Sequence, residues 1–151
     1  MKLENLDLIT MARASGANYI AEIDASDLTQ SAAATAQAVT IMTTDKRSLV
    51  EVVASVSTGF SDASDTAFNS TAMKIGVSGA EAALLVSQEL NANATSPELE
   101  KAGAGKQAYA EGKQIIATFN SMTGKKLADI DNGKVVILLK VIKLPELTDI
   151  D

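Results

Sequence analysis

Apolar and polar positions alternate with a period of two along much of this chain. Tyr19, Ala21 and Ile23 alternate with Ile20, Glu22 and Asp24 until the Asp24-Ala25-Ser26-Asp27 stretch breaks the pattern, which predicts a strand. Residues 37–44 repeat it, with Val39 and Ile41 set against Thr40 and Met42. Residues 49–57 do so again, with Val50, Val52, Ala54 and Val56 alternating with Glu51, Val53 and Ser55. The polar link Asp45-Lys46-Arg47-Ser48 between these two runs predicts a hairpin. Residues 72–77 and 114–120 predict two further strands, the second with Ile115, Ala117 and Phe119 on one face. Residues 134–144 are a near-continuous Val/Ile/Leu run ended by Pro145. A strand apolar on both faces belongs at the centre of a sheet or at an interface.

The segments between the strands carry other signals. Leu3, Leu6, Ile9 and Ala12 fall at helical spacing with Glu4, Asp7 and Arg13 between them, and Ser15-Gly16 stops the pattern. Residues 1–17 are therefore expected to form an N-terminal arm or short helix outside a single β domain of residues 18–151. Residues 31–36 are small and read as a loop. Residues 58–71 are rich in Ser, Thr, Asp and Gly, and read as a long loop held down by Phe60 and Phe68. Residues 79–90 have helical propensity and predict a short helix. Residues 91–112 read as a loop with a helical turn at 97–101, where Ser96 would cap and Pro97 would take the first helical position. Residues 121–126 and Asp131-Asn132-Gly133 are turns. About six short strands with at most two short helices predict a mostly β sandwich, barrel or jelly roll.

Composition narrows the chemistry. The chain has 151 residues and no histidine, cysteine or tryptophan. It therefore lacks the commonest general base, the thiol nucleophile and most transition-metal ligands. Its large rings are Tyr19, Phe60, Phe68, Tyr109 and Phe119, each an expected core or interface anchor. Much of the 46% hydrophobic content is alanine, so a modest core that completes its packing in an oligomer is expected. The net charge of −6 and pI of 4.6, with lysines scattered rather than clustered, argue against direct nucleic-acid binding. The longest apolar stretch, residues 135–142, contains Lys140 and is far short of the ~20 residues of a membrane span. The N-terminus lacks the basic and apolar regions of a signal peptide, so synthesis in the cytoplasm is expected.

Chemical motifs fail on spacing. An EF-hand loop counted from Asp129 would need Gly at the sixth position and Glu at the twelfth, but Gly133 is fifth and Lys140 twelfth. The phosphate-loop likeness at Gly105-Lys106 has Glu100 where the first glycine belongs and Gln107 in place of Ser or Thr. Asp24, Asp27, Asp62 and Asp65 would hold calcium only if two loops met, and turn and cap roles are the simpler expectation. No Gly-x-Ser-x-Gly or Ser-x-x-Lys segment supports a serine nucleophile. No enzyme activity, cofactor or metal is expected.

Three stretches carry a family resemblance. The first is Tyr19-Ile20-Ala21-Glu22-Ile23-Asp24 running into residues 31–41. The second is residues 49–60, followed by Ser61-Asp62-Ala63-Ser64 and Met73-Lys74-Ile75-Gly76-Val77. The third is Ile115-Ile116-Ala117-Thr118-Phe119-Asn120 with the closing residues 127–140. Over residues 19–144 this pattern of strands and loops resembles the small capsid-decoration (cement) proteins of tailed bacteriophages. The resemblance implies a jelly-roll-like antiparallel sandwich. It implies a homotrimer on the outer capsid surface of the virion, bridging major capsid protein subunits at local threefold positions. Capsid contact is then expected from Leu3, Leu6, Leu8 and Ile9. Trimer contact is expected from Phe60, Phe68, Val136, Leu138 and Lys140, with ordinary core packing as the competing role. A receptor- or carbohydrate-binding β module of a tail fibre is the alternative, and its sugar stacking would call for more exposed aromatics. Another head–tail subunit, forming rings, is a third reading.

Overall fold

The computed structural model describes residues 1–5 and 16–145. Ten strands follow in order: β1 (Lys2–Asn5), β2 (Tyr19–Asp24), β3 (Gln37–Thr43), β4 (Ser48–Ser61), β5 (Thr71–Val77), β6 (Ala80–Glu89), β7 (Glu100–Ala102), β8 (Gln107–Tyr109), β9 (Gln114–Ser121) and β10 (Asn132–Lys143). Single 3-10 turns at Ala25–Asp27 and Leu127–Asp129 are the helical elements among the described residues.

The strands form two sheets of antiparallel pairs. The first, sheet A, has the order β1-β2-β10-β4-β7, with β8 also pairing with β4. The second, sheet B, has the order β3-β9-β5-β6. The chain passes from one sheet to the other at β2–β3, β3–β4, β4–β5, β6–β7, β8–β9 and β9–β10. Stacked sheets bury the inward residues of both, which is how an antiparallel sandwich removes its apolar faces from water. Sheet A contributes Ala21, Ile23, Val50, Val52, Ala54, Val135, Ile137 and Leu139; sheet B contributes Ile41, Met73, Ile75, Leu84, Leu85, Ile115, Ala117 and Phe119. As the residue pattern predicts, Ile115, Ala117 and Phe119 are fully buried. The long β10 strand is central in its sheet, between β2 and β4.

Several expectations are corrected. The runs at 37–44 and 49–57 are strands, but they do not pair as a hairpin. β3 pairs with β9 and β4 with β10, so the 45–48 link crosses between sheets. Apolar alternation defines a strand without naming its partner. Of the expected arm or short helix, Lys2–Asn5 is an edge strand that pairs antiparallel with β2, Leu3 opposite Ala21, and residues 6–15 lie outside the described residues. The loop expected at 58–71 begins later, because β4 runs on to Ser61.

The helix expected at 79–90 is strand β6. Its register against β5 shifts between Met73 and Ile75 and again between Ile75 and Val77. These bulges turn Leu84, Leu85 and Gln88 inward and leave Val86 and Ser87 outside. The buried set 84, 85, 88 has the spacing of a helix face, so a bulged strand imitates a helical period.

No helical turn forms at 97–101: the chain bends at Leu99 and β7 begins at Glu100. There the chain clasps the two sheets together. Gly103 N–H donates to Val52 O of sheet A (2.9 Å) and Ala104 N–H to Leu84 O of sheet B (3.0 Å). Glu98 N–H donates to Glu89 O (2.9 Å), and the Gln88 side-chain amide donates to Glu98 O (2.8 Å). A Cβ on Gly103 would lie 2.3 Å from Leu84 O, so only glycine lets the chain pass this closely between the sheets.

Candidate interaction surface

The outward face of sheet A gathers unburied apolar side chains in a defined register. β10 buries Val135, Ile137 and Leu139 and turns Val136, Leu138 and Lys140 outward. Residues directly opposite in a ladder share a face, so the register extends this face across the sheet. Leu138 stands opposite Ile20 and Val53, and Val53 opposite Ala102. Val136 stands opposite Glu22 and Ser55, and Ser55 opposite Glu100. Lys140 faces Glu51, and Ile142 faces Leu49.

The result is an apolar strip flanked by charged residues on both sides. Ile20, Leu138 and Val53 form the strip, with Val53 41% exposed. Glu22 and Glu100 lie on one side of it, Lys140 and Glu51 on the other. Beside Leu138 a groove of about 300 Å³ is lined by Ala17, Glu51, Val53, Lys106 and Lys140. Lys134 sits 3.5 Å from Asp24 at one end of the face. Apolar side chains bordered by two lysines and a glutamate suit contact with another surface. The outward face of sheet B carries Ala38, Thr40, Ala72 and Lys74 around Ile116, with Val86 exposed on its edge strand β6.

The expected contact residues divide. Val136, Leu138 and Lys140 lie together on the outward face of sheet A. Phe60 and Phe68 do not reach it: both are fully buried, and Phe60 packs against Phe119 with ring centroids 5.9 Å apart. Their expected role at a trimer interface is corrected to core packing, because a ring with no exposed surface has nothing to offer another copy. Leu3 is 37% exposed at the sheet edge, on the side of Ala21 and the core. Leu6, Leu8 and Ile9 lie outside the described residues. Ile20, Val53, Glu51 and Lys106 join the surface without having been singled out from the sequence; only the pairing register reveals that they neighbour Leu138 and Lys140.

The aspartates weighed as calcium ligands have separate local roles. Asp27 accepts from Asp24 N–H (2.9 Å). Asp62 accepts from Ser64 N–H (2.8 Å) and Asp65 from Ala67 N–H (3.0 Å). Asp65 also pairs with Lys125, whose hydrogen bond holds the Asp65 carboxyl below the usual carboxylate range. Among the described residues no three acidic side chains converge on one point.

Comparison with known proteins bears on the fold. No protein-family model matches this chain, and no curated protein matches it. A solved structure does: a chain of the acidic stable capsid of Helicobacter pylori bacteriophage KHP30, with a TM-score of 0.53 and 14% identity over 84% of this chain and 87% of that one. The likeness is one of fold.

Proposed function

We propose that this chain is a non-enzymatic structural protein of a bacteriophage virion. In this reading it decorates the outer capsid surface and bridges major capsid protein subunits, as a homotrimer at local threefold positions. The observation that carries the reading is the strand order. Two packed sheets with the core orders β2-β10-β4-β7 and β3-β9-β5-β6, joined by repeated crossings, support a jelly-roll-like reading, an architecture used in viral capsids. The fold shared with a chain of a phage capsid structure supports it. So does a cysteine-free, histidine-free composition, because a structural bridge works through summed contacts and not through a reactive group.

The outward face of sheet A, with Val136, Leu138 and Lys140, is the proposed trimer surface, and the N-terminal Leu3, Leu6, Leu8 and Ile9 the proposed capsid contact. Light scattering after size exclusion tests the first. A mass near three times the 15.7 kDa protomer is expected, falling to one protomer for Leu138→Asp. Co-sedimentation with isolated capsids tests the second, with Leu6→Ser/Leu8→Ser/Ile9→Ser expected to reduce binding while circular dichroism stays unchanged. A wild-type chain that never pellets with capsids would end the decoration reading.

A further inference from the structure

We propose that the groove on the outward face of sheet A receives Leu99 and Glu100 of a second copy of this chain. The inference rests on the trimer reading of that face and names what fills it. Leu99 is the most exposed large apolar side chain among the described residues, at 62%. It is held out just before β7, where its carbonyl accepts from Val56 N–H (2.7 Å). An apolar side chain on a fixed edge, uncovered within its own protomer, is a ready anchor for a neighbouring surface.

The charges match. The groove carries Lys106 and Lys140 against one carboxylate, Glu51, leaving one positive charge unbalanced. The acids flanking Leu99 are not equivalent. Glu98 is paired with Lys101 at 2.8 Å, and that hydrogen bond holds its carboxyl below the usual range. Glu100 is exposed and, among the described residues, has no lysine or arginine within ion-pair distance. Glu100 of one copy set between Lys106 and Lys140 of the next would balance the groove with charge-assisted hydrogen bonds. Leu99 would meanwhile cover Leu138 and Val53.

The knob and the groove are different residues of one outward face, so the contact serves a trimer only when it is made one way and is heterologous. Heterologous contacts repeat head to tail and close into a ring when the rotation permits. This is the geometry a trimer needs, whereas a patch that meets itself gives a dimer.

The absence of cysteine makes the test direct. Leu99→Cys and Leu138→Cys are purified separately, mixed and oxidised. A disulfide-linked pair is expected in the mixture and not in either variant alone, since a disulfide needs Cα atoms within about 7 Å. In parallel, Lys140→Glu is expected to drop the solution mass to one protomer, and Glu100→Lys combined with it to restore assembly. Both substitutions are at solvent-accessible positions, and circular dichroism checks folding. If no mixed cross-link forms and the charge reversal does not restore assembly, while Leu138→Asp still dissociates the trimer, the inference is overturned and the trimer surface stands. A wild-type monomer, or a mass that Leu138→Asp leaves unchanged, overturns both.

Discussion

Asp65 and Tyr109 show how single side chains tune this scaffold in opposite ways. The Lys125 hydrogen bond lowers the Asp65 pKa in the folded state. A depressed folded pKa contributes stability above the unfolded value of about 3.9, and that stability is lost as pH falls through the folded pKa. Asp65→Asn is therefore expected to lower the denaturant midpoint at pH 7, with the difference closing in strong acid. Equal differences at both pH values would contradict this. Tyr109 has a buried hydroxyl with no hydrogen-bond partner among the described residues, and burial pushes its phenol up from the ordinary value. Removing an unsatisfied hydroxyl is neutral or favourable by up to about 1 kcal/mol. Tyr109→Phe should therefore match or exceed the wild-type midpoint. In an absorbance titration it should lose the ionisation that lies above the usual tyrosine range.

At the scale of elements, the 98–104 clasp and the β10 strand hold the sandwich. The clasp joins β4, inside sheet A, to β6, an edge of sheet B, through backbone bonds to Val52 O and Leu84 O. A methyl group on Gly103 would be driven against both carbonyls, 2.8 Å and 2.3 Å away. Overpacking of this kind costs about 1–3 kcal/mol. Gly103→Ala should lower stability by that amount and speed hydrogen exchange at Ala104. Unchanged exchange would mean that the clasp does not hold the sheets. In β10, Ile137 is fully buried between Ala21 and Ala54, so Ile137→Ala should cost about 2–5 kcal/mol, read from denaturant unfolding. Elements with strong alternation were legible in the sequence, including β2, β3, β9 and β10. β6 was not, because its bulges rewrite the period. β7 and β8 were not, because three-residue strands are too short to display one.

The whole molecule is built from distant pairings. β2 pairs with β10, and β4 with β10, across most of the chain, so loop-closure entropy must be met before these contacts form. Refolding followed by far-ultraviolet circular dichroism is expected to take milliseconds to seconds or longer. Completion in microseconds would contradict the topology. The same long-range pairing assembles the interaction surface, since Ile20, Val53, Leu138 and Lys106 come from four separate regions of the chain. Its candidate members Val136, Leu138 and Lys140 were legible as one side of a strand, but which side faced the core was not.

By itself, the order of residues determined the β character, the positions of the well-alternating strands and the lack of histidine and cysteine chemistry, because these depend on local period and composition. It also marked β10 as a buried or central strand through apolar residues on both faces. Only the tertiary structure decided that 45–48 is a crossing and not a hairpin, that Phe60 and Phe68 belong to the core, and that Leu3 lies in an edge strand. The same local alternation satisfies many partners. The choice among them is made by burying one face of each strand against the other sheet while every inner backbone group finds a hydrogen bond.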